Sequence, residues 1–223
     1  MKTTGTALVP NDRRSAAGLT LLEVLVLVVV LAIMAAMLLP HASIHNSTRI
    51  QCCNDLKEIA IDYKLWAADN HDKYPFQVSV TNGGTMEVAN QAWQTYAVMS
   101  NYLNTPRILV CPVDNARMPA ATNFDRTNLE SHISYFIGLD ADETHPQAIM
   151  SGDDNLTLDT LPIRPGRFTL PRHSTVTWNT GRHYPGGNIG FADGHVEIGN
   201  SNSLAKIITN ATAGTNRLQL VFP

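Results

Sequence analysis

Charge is scarce in this chain, and no block of one sign stands out. Lys, Arg, Asp and Glu make up 16% of the 223 residues, against about a quarter in ordinary soluble domains. The polar surface therefore falls to Asn, Thr, Ser and Gln, a composition that fits a body outside the cytoplasm. The formal net charge is -3; Lys2, Arg13 and Arg14 against Asp12 give the first 18 residues +2, which leaves -5 for the rest. A net-acidic body argues against nucleic acid as the main partner. Cysteine is also sparse. The three present are Cys52, Cys53 and Cys111, with no C-x-x-C pair, which argues against a cysteine zinc site. Missing too are a Gly-rich phosphate loop, G-x-S-x-G and H-E-x-x-H, so no catalytic constellation rises above background and the chain reads as a non-enzyme.

What is present is concentrated at the front. From Val24 to Leu39 no side chain is polar, and the run opens with Gly18-Leu19-Thr20-Leu21-Leu22-Glu23. As a helix, residues 19–39 would reach about 31 Å, enough to cross a bilayer. The basic leader before it would stay cytoplasmic and place the remainder outside. Glu23 is a charge in a greasy segment and asks for a partner. Pro40 predicts a kink or interruption.

Beyond Pro40, Ile50, Cys53, Leu56, Ile59, Ala60, Tyr63, Trp66 and Ala67 recur at three- and four-residue steps. That spacing predicts an amphipathic helix to about Asp69. Residues 91–103 suggest a short helix. Arg107–Pro112, Ile133–Leu139, Ala148–Met150, Thr175–Trp178 and Arg217–Phe222 read as strands. Asn188–Ala192 and His195–Ile198 flank Asp193-Gly194 and read as a hairpin with a two-residue turn, Ala192 facing His195 and Phe191 facing Val196. His41 and His45 have chelating i, i+4 spacing but no acidic third ligand nearby, and read as surface polar residues.

The opening residues resemble the type IV prepilin-like family, in which a glycine and an aromatic residue are followed by Thr-Leu-hydrophobic-Glu and a long apolar helix. Here Leu19 replaces the aromatic residue. A second resemblance joins it. His183, nine residues, then Asp193-Gly194 matches the H-X9-DG signature of a prepilin-like subgroup. Cys52 and Asn54 before Leu56-Lys57, and Cys111-Pro112 before Asp114, look like further elements of that subgroup.

The resemblance implies an α+β fold: a long N-terminal helix, transmembrane in its first half, packed on a small antiparallel sheet. It implies a leader at 1–18, a polymerisation helix at 19–40 and an extracytoplasmic domain at 41–223. A prepilin peptidase would cut between Gly18 and Leu19. Glu23 would pair with the new Leu19 amine of a neighbouring subunit. Other pilin-like subunits and an assembly platform would be partners, in a type II secretion pseudopilus or a pilus-like filament based at a bacterial inner membrane, with the body in the periplasm.

Three site expectations follow. Cys52 and Cys111 are a candidate disulfide, although helix phase favours Cys53 for the buried stripe. No cofactor is expected, but Asp140, Asp142, Asp153 and Asp154 supply hard oxygen ligands, and some major pseudopilins hold calcium in a C-terminal loop; no complete EF-hand pattern exists here. The alternatives are a glycan-binding module using Trp93 and Trp178, and a metal-dependent hydrolase built on the 183–195 region.

Overall fold

A computed structural model describes residues 18, 20–38 and 44–223 of the chain, with the side chains of 36–38 and 44–47 left aside. It divides into two compact units, one ending at Ala42 and one beginning at Ser43.

The first unit contributes one helix, α1 (Leu21–Leu38). The second begins with α2 (Ile44–Asp69). The expectation of one long helix from Leu19 to about Asp69, transmembrane in its first half, is corrected here. The described residues give two helices, with 39–43 outside them, and among the described residues none is long and apolar enough to cross a membrane. The reason lies in length. The 18 described residues of α1 rise only about 27 Å, short of the roughly 30 Å of a hydrocarbon core. His41 and Pro40 lie outside the described residues, as does the side chain of His45.

The small sheet is also corrected. The second unit mixes helices with two antiparallel sheets. The strands are β1 (Tyr135–Gly138), β2 (Ile149–Asp153), β3 (Leu156–Leu158), β4 (Leu161–Pro162), β5 (Gly166–Pro171), β6 (Val176–Trp178), β7 (Gly186–Phe191), β8 (Val196–Asn200) and β9 (Arg217–Phe222). Six of them form one sheet in the order β5-β9-β1-β2-β7-β8, and β4-β3-β6 form the other. The remaining helices are α3 (Ala92–Val98), the single turn α4 (Arg126–Leu129) and α5 (Ser201–Ala211).

The large sheet is covered on both faces, and its strands show it by alternation. Tyr135, Ile137, Met150 and Val221 join the core that α2 builds with Cys52, Leu56, Ile59, Tyr63 and Trp66. Their neighbours Phe136, Ile149, Leu220 and Phe222 join a second core with Leu204, Ile207 and Ile208 of α5. Helix α5 starts where Asn200 accepts from the amides of Asn202 and Ser203, a side-chain cap that satisfies two orphan donors. The sequence reading passed over this helix.

Two local expectations fail for identifiable reasons. Pro106–Leu109 is a turn of 3-10 helix, not the start of a strand; Thr105 caps it by accepting from the Arg107 amide at 3.4 Å, and proline suits the first helical position. The hairpin exists, but its register is one residue off. Gly190 pairs with Val196 and Ile189 with Glu197. The Phe191 amide donates to the His195 carbonyl, and the Gly194 amide to the Phe191 carbonyl. The loop therefore has three residues, and only Gly194 takes a positive φ, +94°, the pattern of a turn closed by a glycine bulge. A one-residue slip exchanges the faces of a strand. Phe191 and Ile189 go to the α5 side, Val196 packs toward α2, and Phe191 stacks flat on His195 at 4.2 Å.

Candidate functional site

Three separated segments meet at the N-terminal end of the body. Helix α2 supplies Cys52, which lies in line with Leu56, Ile59 and Tyr63 at steps of four and three and is fully buried. The turn at 106–109 leads through Val110 to Cys111, also fully buried. The loop between β6 and β7 supplies His183, half-buried, with φ +45°. The Cys52 and Cys111 sulfurs are 2.7 Å apart. His183 Nε2 is 3.1 Å from Cys111 Sγ and 3.2 Å from Cys52 Sγ. Cys52, Cys53 and Cys111 are all free thiols. The helix-phase preference for Cys53 does not hold. Cys53 is buried as well, but it is Cys52 that faces Cys111.

The arrangement splits the two thiols. The hydrogen bond with Cys52, then His183 and the Val113 backbone, brings Cys111 down to about 5 against the cost of burial. The same sulfur–sulfur contact, and then burial, drives Cys52 well up. The contact with Cys52 and the imidazole thus favours ionisation at Cys111 over Cys52, and the thiolate is the form of cysteine with nucleophilic and metal-binding character.

A buried ion network positions the histidine. Arg182, 5% exposed at its side chain, pairs with Asp114 at 3.1 Å and with Asp154. Arg117 pairs with the same two carboxylates at 2.9 and 2.6 Å. The Ser134 hydroxyl donates to Asp114 at 2.7 Å, and Arg182 Nη1 donates to the Ser134 carbonyl at 3.2 Å. Burial raises Asp114, but Arg182, Ser134 and Arg117 together hold it below the ordinary carboxylate range. Two guanidinium groups against two carboxylates leave the network neutral, the condition under which buried charge is tolerated. It ties the loop after Cys111 and the end of β2 to the residue just before His183.

Around the triad, polar groups remain without partners. The Tyr135 hydroxyl and Asp153 Oδ1 are buried and unbonded. Asp153 Oδ2 accepts from the amide and the side chain of Asn188 at 2.8 and 3.0 Å. Burial pushes Asp153 up to about 6. Asp55, one turn along α2 from Cys52, is pushed up to about 7 by burial and by Glu58.

The other residues singled out by sequence lie elsewhere. Asp193 and Gly194 form the hairpin loop. Asp193 accepts from the His195 amide at 3.0 Å and from Gln147 at 3.2 Å, so the H-X9-DG halves sit at opposite ends of β7. The calcium candidates are not brought together. Asp140 accepts from Gln219, and Asp142 from Thr144 and His145. Asp153 and Asp154 lie at the other end of the β1–β2 pair, one buried beside Asn188 and the other neutralised by arginines. Trp178 is a core residue. Trp93 carries Arg126 over its ring at 5.2 Å.

In the first unit, Gly18 is exposed and Leu19 lies outside the described residues. The Thr20 amide donates to the Glu23 carboxylate at 3.4 Å, and the Glu23 amide to the Thr20 hydroxyl at 3.3 Å. This is a capping box, readable from Thr-x-x-Glu but missed in the sequence reading, and it gives Glu23 a local task. Arg182 and Arg117 were missed as well; nothing in their spacing marks them. No family model, curated protein or solved structure matches this chain.

Proposed function

We propose that the chain is a structural, pilin-like subunit, cut after Gly18 by a prepilin-type peptidase and assembled into a filament through α1. The observation that carries this reading is the surface of α1. Every described position from Thr20 to Ile33 and on to Ala35 is exposed, although the helix is built of Leu, Val, Ile, Met and Ala beyond Glu23. A helix that is apolar all round belongs in an interior. Leu25, Val28 and Leu31 are each more than half exposed, and burying a side chain of this kind fully is worth about 1.5–3 kcal/mol. Copies of the same helix offer matching apolar surface, and the body at 43–223 would form the outside of such a bundle. Gly18 is exposed, as a peptidase site has to be.

Glu23 then has two tasks to separate. Gln keeps a capping box and removes the charge. Mass spectrometry of the chain from its source should find Leu19 as the first residue. Electron microscopy and sedimentation should find polymers in the parent and in Thr20→Ala, but none in Glu23→Gln or in Val28→Glu. An intact Gly18–Leu19 bond, or full-length chain that stays monomeric with α1 in place, would sink the proposal. Normal polymers from Glu23→Gln would reduce Glu23 to a cap.

A further inference from the structure

We infer that Cys52, Cys111 and His183 form a binding site for a single zinc-like cation, with the fourth position left to water. Among the described residues they are the one group of His, Cys, Asp or Glu whose ligand atoms converge, all within 4.8 Å of each other. Two sulfurs and an imidazole nitrogen are a borderline-soft donor set, suited to zinc and unsuited to calcium or magnesium.

The convergence of a third ligand side chain on the two sulfurs is what favours a metal as the reason for the cluster. His183 Nε2 is nearly equidistant from the two sulfurs, 3.1 and 3.2 Å, as a third ligand to a shared ion would be. A disulfide would use both sulfurs and leave the imidazole without a task. Yet the fold commits a buried four-charge network to the residue before that imidazole, and holds His183 itself in the left-handed region. Tetrahedral zinc, with bonds of about 2.3 Å to sulfur and about 2.0 Å to nitrogen, needs the two sulfurs to part by about 1 Å from their 2.7 Å contact and the imidazole to draw back by a few tenths. The half-buried loop of His183 can supply the imidazole's share.

The surroundings suit a cation. Two thiolates balance a divalent charge, so the filled site is neutral. Asp153 and Tyr135, both fully buried, each keep an oxygen without a partner beside the cluster, and such atoms can accept from, or donate to, a metal-bound water. A cavity of about 400 Å³ borders Gln51, Val110 and Pro112, the chain neighbours of the two cysteines. The inference does not depend on filament assembly.

The test is cobalt titration of the full chain, purified with reductant and with its three thiols counted beforehand. One cobalt per chain should give tetrahedral visible bands and thiolate-to-cobalt charge transfer, and zinc should displace it stoichiometrically. His183→Gln, at a half-buried position, should weaken binding by at least about 10-fold, the lower bound for disturbing a metal's environment. Cys111→Ser should abolish charge transfer, and Cys53→Ser should leave the spectrum unchanged. Reduced parent chain that binds no cobalt would overturn the inference. So would binding that survives both His183→Gln and Cys111→Ser, or that is lost in Cys53→Ser.

Discussion

Replacing Arg182 by Met tests how the His183 loop is held. Met conserves much of the length and removes the charge. The parent network has two cations and two anions, with side-chain exposures of 5% for Arg182, 24% for Arg117, 9% for Asp114 and 8% for Asp154. Removing one partner of a buried pair generally costs 3–5 kcal/mol, because a charge is left without compensation. Arg117 still touches both carboxylates, so the expected loss lies at the lower end, about 3 kcal/mol. For a domain of this size that lowers the thermal midpoint by roughly 6–12 °C. The pH dependence has a definite sign. In the parent, Asp114 is held below its ordinary value, so its contribution is present above that value and lost as pH falls through the folded one. In the variant a carboxylate short of its cation binds a proton more readily in the folded state than in the unfolded one. The deficit should therefore be largest near neutrality and shrink as pH falls through about 4. The assay is thermal and urea unfolding of full chain kept monomeric in mild detergent, followed by circular dichroism. Arg126→Met serves as the control, since Arg126 and Glu130 pair on the surface and its loss should stay within about 1 kcal/mol. A deficit for Arg182→Met no larger than the control's, or one that does not vary with pH, would refute the reasoning.

Two further substitutions probe single features. Asp62 on α2 is 4% exposed with Oδ2 unbonded, and burial and then the Glu58 charge push it up to about 6. The folded state thus favours its protonated form, and stability falls as pH rises from about 4 through 6. Asp62→Asn should be more stable than the parent above pH 6, on the order of 1 kcal/mol after allowing for solvent screening, with the gap closing toward pH 4 in urea titrations; a gap that widens toward acid would contradict the assignment. Gly194 has φ +94° and open space around an added Cβ, so Gly194→Ala should cost about 1 kcal/mol through backbone conformation alone, and Gly194→Asn less; equal losses would mean that the loop rearranges.

The elements most legible in sequence were those whose signal is local. Helix α2 shows its 3.6-residue stripe, and Arg217–Phe222 forms β9 as read. Where local signals competed, the reading went astray. Arg107-Ile108-Leu109-Val110 looks like a strand by composition, but Thr105-Pro106 in front of it is a helix start. Asp193-Gly194 suits a two-residue hairpin, and alternation of Phe191, Val196, Ile189 and Ile198 appeared to agree. A three-residue loop with only Gly194 left-handed uses the same dipeptide, and its one-residue difference reassigns every side chain of β8. The α5 helix was readable from Leu204, Ile207 and Ile208 after Asn200. The ion network was not, because Asp114, Arg117, Asp154 and Arg182 belong to three segments with no shared periodicity. Only the closed fold pairs them. The triad lies between these cases: each of its residues drew notice in sequence, but as a candidate disulfide and a separate motif, not as one cluster.

The spacing of the H-X9-DG motif has a physical reading in this fold. His183 and Asp193 are not partners; they bracket β7, the strand on which α2 lies. From Gly186 to Phe191 that strand advances about 17 Å. On α2, Cys52 meets His183 at one end, and Lys64 donates to the Asp193 carbonyl at the other, 3.0 Å away. Twelve residues of helix rise about 18 Å. The two motif halves thus contact the helix beyond both ends of the strand. Between them Arg49 donates to the carbonyls of Gly187 and Gly199 and fixes the helix near the start of the strand. At the Asp193 end the loop is held to the 146–147 segment as well, by the Asp193 amide on the Pro146 carbonyl. The contacts of His183 and Asp193 with α2 require no chemistry between the two residues themselves.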